Sequence, residues 1–239
     1  MEHLDKDTLF MSMACLIGMT SKDPSTKVGA VIVGQDDEVI SVGYNGFPRK
    51  VGDLDSERYK RPVKYSWIEH AERNAIFNAA RIGVSCRGAK IYIPFYPCPD
   101  CARGIIQSGI KEVVIDENIA ELLIGSLTLN DEKLSVSLEM LKEANVSVRL
   151  IQVTIPNLYI MASGKEYSTE EIEEKGYIKS LKRLEELTNN ADNSWQFMEE
   201  FNLLIDRIEK YEEKICPIDS PTKEQLIEFR KDQMKDKIK

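Results

Sequence analysis

The sequence predicts an α/β protein. A three-layer α/β/α domain around a five-stranded mixed sheet is expected over residues 1–153, with a helical extension of unassigned role over residues 154–239. Three observations predict it. Between residues 70 and 151, short apolar runs alternate with amphipathic segments of helix length, the pattern of βαβ crossovers that build a parallel sheet covered on both faces. Ahead of them, Val28–Val33 and Glu38–Gly43 are β-rich and are separated by Gly34-Gln35-Asp36-Asp37, hairpin chemistry that adds an antiparallel strand. Beyond Pro156 the composition turns to Glu, Lys and Leu at helical spacing.

Taken in order, residues Asp5–Ser21 carry Leu9, Met13, Leu16 and Met19 at helical spacing, with Asp5 and Asp7 at the end where the helix dipole favours acids. The hairpin follows. Tyr44–Trp67 contains Pro48 and Pro62 and no period of either kind, which predicts a long functional loop. Helix His70–Ile82, strand Lys90–Ile93, helix Cys98–Ser108, strand Glu112–Ile115, helix Glu132–Ala144 and strand Val146–Ile151 complete the domain. The extension reads as helices over Thr169–Leu187, Ser194–Ile215 and from Pro221 onward. Met198, Phe201, Ile205 and Ile208 form a short heptad-like stripe there, while Ser220 and Pro221 suit the N-cap and first helical position.

Composition removes several functions. The 239 residues carry a net charge of -8, which disfavours a protein that wraps a long nucleic acid backbone. No stretch approaches the ~20 apolar residues of a membrane span. The N-terminus opens on acids rather than on the basic flank of a secretory signal, so a cytoplasmic protein is expected. Five cysteines, Cys15, Cys86, Cys98, Cys101 and Cys216, favour free thiols or a metal site over a disulfide framework. His3 and His70 are the only histidines, so histidine chemistry falls to His70.

His70-Ala71-Glu72 opens one predicted helix and Pro97-Cys98-Pro99-Asp100-Cys101 opens the next. Thiols at i and i+3 share one face, and a histidine from the neighbouring helix start supplies a third ligand. Three ligands leave the fourth position of a tetrahedral zinc open, as catalysis requires. Such a zinc would lower the pKa of its water toward ~7, and Glu72, two residues from His70, would move that water's proton. A Cys-x-x-Cys by itself also fits structural zinc or a redox pair. Structural zinc lacks a fourth ligand here, since Cys15, Cys86 and Cys216 lie in unrelated contexts. His-x-Glu followed by Pro-Cys-x-x-Cys is the pattern of zinc-dependent nucleoside and nucleobase deaminases.

At these residues the chain resembles the cytidine and deoxycytidylate deaminase superfamily, and within it the deoxycytidylate (dCMP) deaminases. The likeness extends to Ser21-Lys22-Asp23-Pro24, Lys27–Val33, the loop Gly43-Tyr44-Asn45-Gly46-Phe47-Pro48, His70–Ile76, Cys98–Arg103 and Ile106–Lys111. It covers residues 5 to 153 in the family's order. The resemblance implies a cytidine-deaminase-like fold and one catalytic Zn2+ per chain on His70, Cys98 and Cys101. It implies Glu72 as proton shuttle, with Asn45 and the backbone at Ala71 and Cys98 on the substrate. The implied reaction is dCMP to dUMP plus ammonia. It also implies a homo-oligomer, with dCTP and dTTP as possible effectors.

Lys22, Lys27, Arg49, Lys50, Arg58, Lys60, Arg61 and Lys64 make the region around the expected pocket basic within an acidic chain. That favours a nucleotide over a nucleoside, with Lys27 and Arg49 as candidate contacts, and leaves mono- and triphosphate open. A deaminase of dCTP or of another aminated nucleotide is the runner-up. A polynucleotide deaminase would need a basic, aromatic stripe that is not evident, and a binding protein on a silent deaminase fold would have no use for Glu72.

Overall fold

The structure is a computed structural model and describes residues 3–120, 122, 131–153, 159–162 and 164–175. Helix α1 (Lys6–Gly18) precedes strands β1 (Gly29–Val33) and β2 (Val39–Tyr44). Next come α2 (Ala71–Ile82), β3 (Lys90–Ile93), α3 (Pro99–Ser108), β4 (Glu112–Asp116) and a short α4 (Glu117–Ala120). Helix α5 (Asp131–Glu143), β5 (Ser147–Ile151) and a hairpin of β6 (Tyr159–Ala162) and β7 (Lys165–Ser168) follow. The loop between β2 and α2 is ordered into two 3-10 turns, Ser56–Tyr59 and Val63–Ser66.

The sheet runs β2-β1-β3-β4-β5. Strands β3, β4 and β5 are parallel, and β1 pairs antiparallel with both β2 and β3. The hairpin therefore places its first strand inside the sheet, because β2 and β3 run parallel with β1 between them. All five residues of β1 are buried, as a central strand covered on both faces requires. Side chains then alternate by face with the period of a strand. Ala30, Ile32, Ile91, Ile93, Val113 and Ile115 point into the layer of α2, α3 and α5, while Val31, Val33, Tyr92 and Val114 point into the layer of α1. This five-stranded mixed sheet between helical layers is the predicted architecture.

Helix α1 turns a different face inward from the predicted one. Phe10, Met11, Ala14, Cys15 and Gly18 are buried, whereas Leu9, Leu16 and Met19 are exposed and Met13 is only partly buried. The reason is close approach: a Cβ on Gly29 would lie 2.0 Å from the Ala14 carbonyl oxygen, and one on Gly18 would lie 2.8 Å from the Gly29 nitrogen. Ala14 and Gly18 let the helix backbone press on β1, and the large side chains buried on α1 are Phe10 and Met11.

The compact unit extends past residue 153 to Ile172. Ile160, Ala162 and Ile172 are buried in the α1-side core, and the β6–β7 hairpin accepts the Lys27 N–H at the Met161 carbonyl (3.0 Å). Residues 154–239 are therefore not uniformly helical. Residues 169–175 are helical, and a second unit begins at Glu173; the helices expected over Ser194–Ile215 and from Pro221 lie outside the described residues.

Candidate active site

Two close contacts fix the helix that opens the site. Gly43 in β2 faces α2 so closely that a Cβ would stand 2.3 Å from the Ala75 nitrogen and 2.5 Å from the Ala71 carbonyl oxygen. Just before the helix, Glu69 and Gly46 exchange backbone hydrogen bonds of 2.8 and 3.0 Å. His70 is thus held by the sheet on one side and by the loop on the other. It stands at the N-cap of α2, and Cys98, followed by Pro99, stands at the N-cap of α3. Neither side chain makes a capping hydrogen bond. Arg73 ties the two helix starts together, pairing with Glu69 and reaching Asp100 at 3.8 Å.

His70 Nδ1 lies 3.5 Å from Cys98 Sγ and 3.4 Å from Cys101 Sγ. Bonds of about 2.0–2.1 Å from zinc to nitrogen and 2.3 Å to sulfur in a tetrahedron put such atoms roughly 3.5–3.6 Å apart. The donor set and its spacing therefore fit zinc, with three ligands and one open position. The two thiols are shifted in opposite directions, and the hydrogen bond to Cys98, with burial, pushes the Cys101 thiol well above the usual range. The hydrogen bond from Cys101 holds the Cys98 thiol down, to about 3, against burial and with His70 assisting. Burial opposes charge on His70, yet Cys98 and Glu72 leave its pKa raised.

Glu72 is buried, 5% exposed, and burial raises its pKa above the usual carboxylate range against the pull of His70. It lines one cavity together with His70, Ala71, Cys98 and Asn45. The aromatic walls are Phe95 and Tyr96 beyond β3, and Tyr65 from the loop.

Other sequence candidates stand differently. Asn45 lines the cavity, but its carbonyl accepts the Val28 N–H (2.8 Å) and its amide donates to the Thr26 carbonyl (2.8 Å), so it shapes the wall between β1 and β2. Lys27 and Arg49 are not among the cavity-lining residues. Lys27 Nζ turns to the Ser21 carbonyl just beyond α1, at 2.6 Å, and Arg49 pairs with Asn78 on α2.

Sequence reasoning passed over Asp23. Its carboxylate pairs with Lys64 at 2.8 Å, with both side chains at most 8% exposed, and accepts the Ser25 N–H at 2.8 Å. Burial works to raise its pKa, and Lys64 and Ser25 outweigh burial and leave it lowered. Both residues line the cavity. Lys64→Met should cost about 3–5 kcal/mol in urea unfolding, because it strands a buried carboxylate, and Asp23→Asn in the same chain should recover part of the loss. The lowered pKa means that ionised Asp23 stabilises the fold above ~4 and that this contribution is lost as pH falls through the folded value. The stability gap between wild type and Asp23→Asn should accordingly narrow under acid.

Among known proteins, a family model described as the cytidine and deoxycytidylate deaminase zinc-binding region matches residues 4–117. The uncharacterized deaminase in the luxG 3' region of Aliivibrio fischeri is 40% identical over 146 residues, 61% of this chain and 93% of that protein. The deoxycytidylate deaminase of Enterobacteria phage T2 is 33% identical over 153 residues, covering 47% of this chain and 80% of the phage protein. The human deoxycytidylate deaminase is 38% identical over 118 residues, 47% of this chain. The chain spans 65% of the human protein's length. On the coverage of the Aliivibrio and phage proteins, this chain belongs to the cytidine and deoxycytidylate deaminase family.

Proposed function

We propose that the protein hydrolytically deaminates dCMP to dUMP and ammonia, using one zinc ion per chain held by His70 Nδ1, Cys98 Sγ and Cys101 Sγ. The observation that carries the reading is the convergence of these three atoms within 4.8 Å of one another, with His70 and Cys98 lining the same cavity as the buried Glu72. The phage and human relatives named as deoxycytidylate deaminases supply the choice of substrate.

Bound there, zinc supplies a water acidified toward ~7 and nucleophilic at neutral pH. Glu72 accepts the proton of the attacking water and delivers it to the departing amino nitrogen at C4 of the base. Burial raises its pKa, which favours the carboxyl holding the proton between the two transfers. His70 and Cys98 make no side-chain cap hydrogen bond, and the positive ends of the α2 and α3 dipoles favour negative charge near these helix starts. Phe95, Tyr96 and the Asn45 wall enclose the ring and exclude water.

The same reading makes the protein a cytoplasmic homo-oligomer. Phe77 and Ile82 stand exposed on α2, at 51% and 69%, apolar surface that a second copy could cover. Among the described residues no helix is long and apolar enough to cross a membrane. Regulation by dCTP and dTTP rests on the family resemblance. The test is ammonia release from dCMP, dCTP, CMP and single-stranded oligonucleotides, each with and without dCTP and dTTP. Zinc-loaded protein inert on all the small nucleotides would sink the proposal.

A further inference from the structure

The loop between β2 and α2 carries most of the basic residues around the cavity, and the structure separates them by what they already hold. Lys22 pairs with Asp53 at 2.6 Å, and Lys60 pairs with Glu57 at 2.6 Å. Arg58 bonds the Gly52 carbonyl and stacks 4.1 Å over the Trp67 ring. Lys27 and Arg49 are turned elsewhere, as described above. Of the eight basic residues, Lys64 and Arg61 line the cavity. Lys64 is buried, and its charge is matched by Asp23 at 2.8 Å with Ser25 Oγ at 2.7 Å.

Arg61 is different: it is exposed, it lines the cavity, and it makes no hydrogen bond or ion pair to any described residue. Asp23 in the same lining is matched by Lys64, so Arg61 is the lining arginine left without a described partner. One turn later Tyr65 also lines the cavity, and its hydroxyl bonds no described residue. The turn is fixed by the Lys64 N–H to the Lys60 carbonyl (2.9 Å) and the Tyr65 N–H to the Pro62 carbonyl (3.1 Å), which holds Arg61 and Tyr65 on one wall. A guanidinium is the side chain suited to bidentate contact with a phosphate, and a phenol adds a further donor.

We propose that Arg61, assisted by Tyr65, recognises the 5′-phosphate and selects a nucleoside monophosphate over the nucleoside. This rests on the reading of the site as a cytosine-deoxynucleotide deaminase. One guanidinium and one hydroxyl suit a single phosphate group, whereas a triphosphate brings further anionic oxygens past a wall with no second unpaired cation among the described lining residues.

The experiment is binding rather than turnover. Zinc-loaded wild type, Arg61→Gln and Tyr65→Phe are titrated with dUMP and with deoxyuridine. A charge-assisted pair at 1.5–3 kcal/mol corresponds to about 10–150-fold, so wild type should bind dUMP tighter than deoxyuridine by at least ~10-fold. Arg61→Gln should erase that preference and leave the affinity for deoxyuridine unchanged; Tyr65→Phe should reduce the preference by roughly 2–10-fold. Arg49→Gln serves as the control and should keep it. Equal binding of the two ligands by wild type, or a preference that survives in Arg61→Gln, overturns the assignment. The substrate reading fails separately, on the absence of ammonia release from dCMP by wild type, whatever Arg61 does to dUMP binding.

Discussion

Glu72→Gln is expected to lower ammonia release from dCMP by about 10²–10⁴-fold, the range general acid–base catalysis supplies, with zinc content unchanged at one per chain. The glutamine keeps the shape of a side chain that is only 5% exposed, so packing is preserved and the proton carrier alone is removed. Steady-state kinetics with metal analysis on the same sample checks it. The loss should appear in kcat, because substrate and metal contacts remain. A variant that keeps near-wild-type turnover would place the proton carrier elsewhere. A variant that loses its metal would make Glu72 a structural part of the cluster.

The second large effect is expected at Cys101. Cys101→Ala should take the metal content of dialysed protein from about one to near none, with activity lost alongside. Three ligands already leave a position open, and two hold a divalent ion poorly. Because ligation stabilises the folded state by RT ln(1 + [L]/Kd), free zinc at ~1,000 times its dissociation constant adds about 4 kcal/mol to wild type. The variant should gain nothing measurable in the same thermal melt. Cys86→Ala is the comparison: Cys86 is buried, burial raises its thiol, and it lies outside the cluster, so that variant should keep its zinc. Unchanged occupancy in Cys101→Ala would contradict the ligand set.

The metal cluster was legible because its chemistry is local. Cys98 and Cys101 share one helix start and His70 with Glu72 sits at another, so spacing pairs each two. That the two starts meet was implied by the family resemblance, and the structure brings the His70, Cys98 and Cys101 ligand atoms within 4.8 Å of one another. Element order was legible for a similar reason, since periodicity records which faces are buried. Helix α1 shows the limit. Leu9, Leu16 and Met19 outrank Ala14 and Gly18 in apolarity, yet contact with β1 is set by backbone approach at Gly18 and Gly29, and apolarity does not encode approach. The pocket's charges were hidden for another reason. Asp23 and Lys64 are 41 positions apart, and a basic run looks uniform until each partner is known; Lys27 and Arg49 stood out in the sequence and prove to be engaged elsewhere. Asp116 was likewise unmarked. Its buried carboxyl accepts the Ile119 and Val153 N–H groups at 3.0 and 2.9 Å, which starts α4 and ties it to the segment after β5, although burial pushes its pKa up to about 7.

His70 and Cys98 occupy N-cap positions at which Ser, Thr, Asp or Asn ordinarily satisfies an orphan N–H. With both side chains turned to the His70, Cys98 and Cys101 group instead, α2 and α3 lack that local stabilisation, and an ion bound there would add order at the first turns beyond what the sheet and the loop already give. Amide hydrogen exchange at the openings of α2 and α3 would then report metal loading directly, slowing as zinc is added and quickening under a chelator, while β1 amides exchange at one rate throughout.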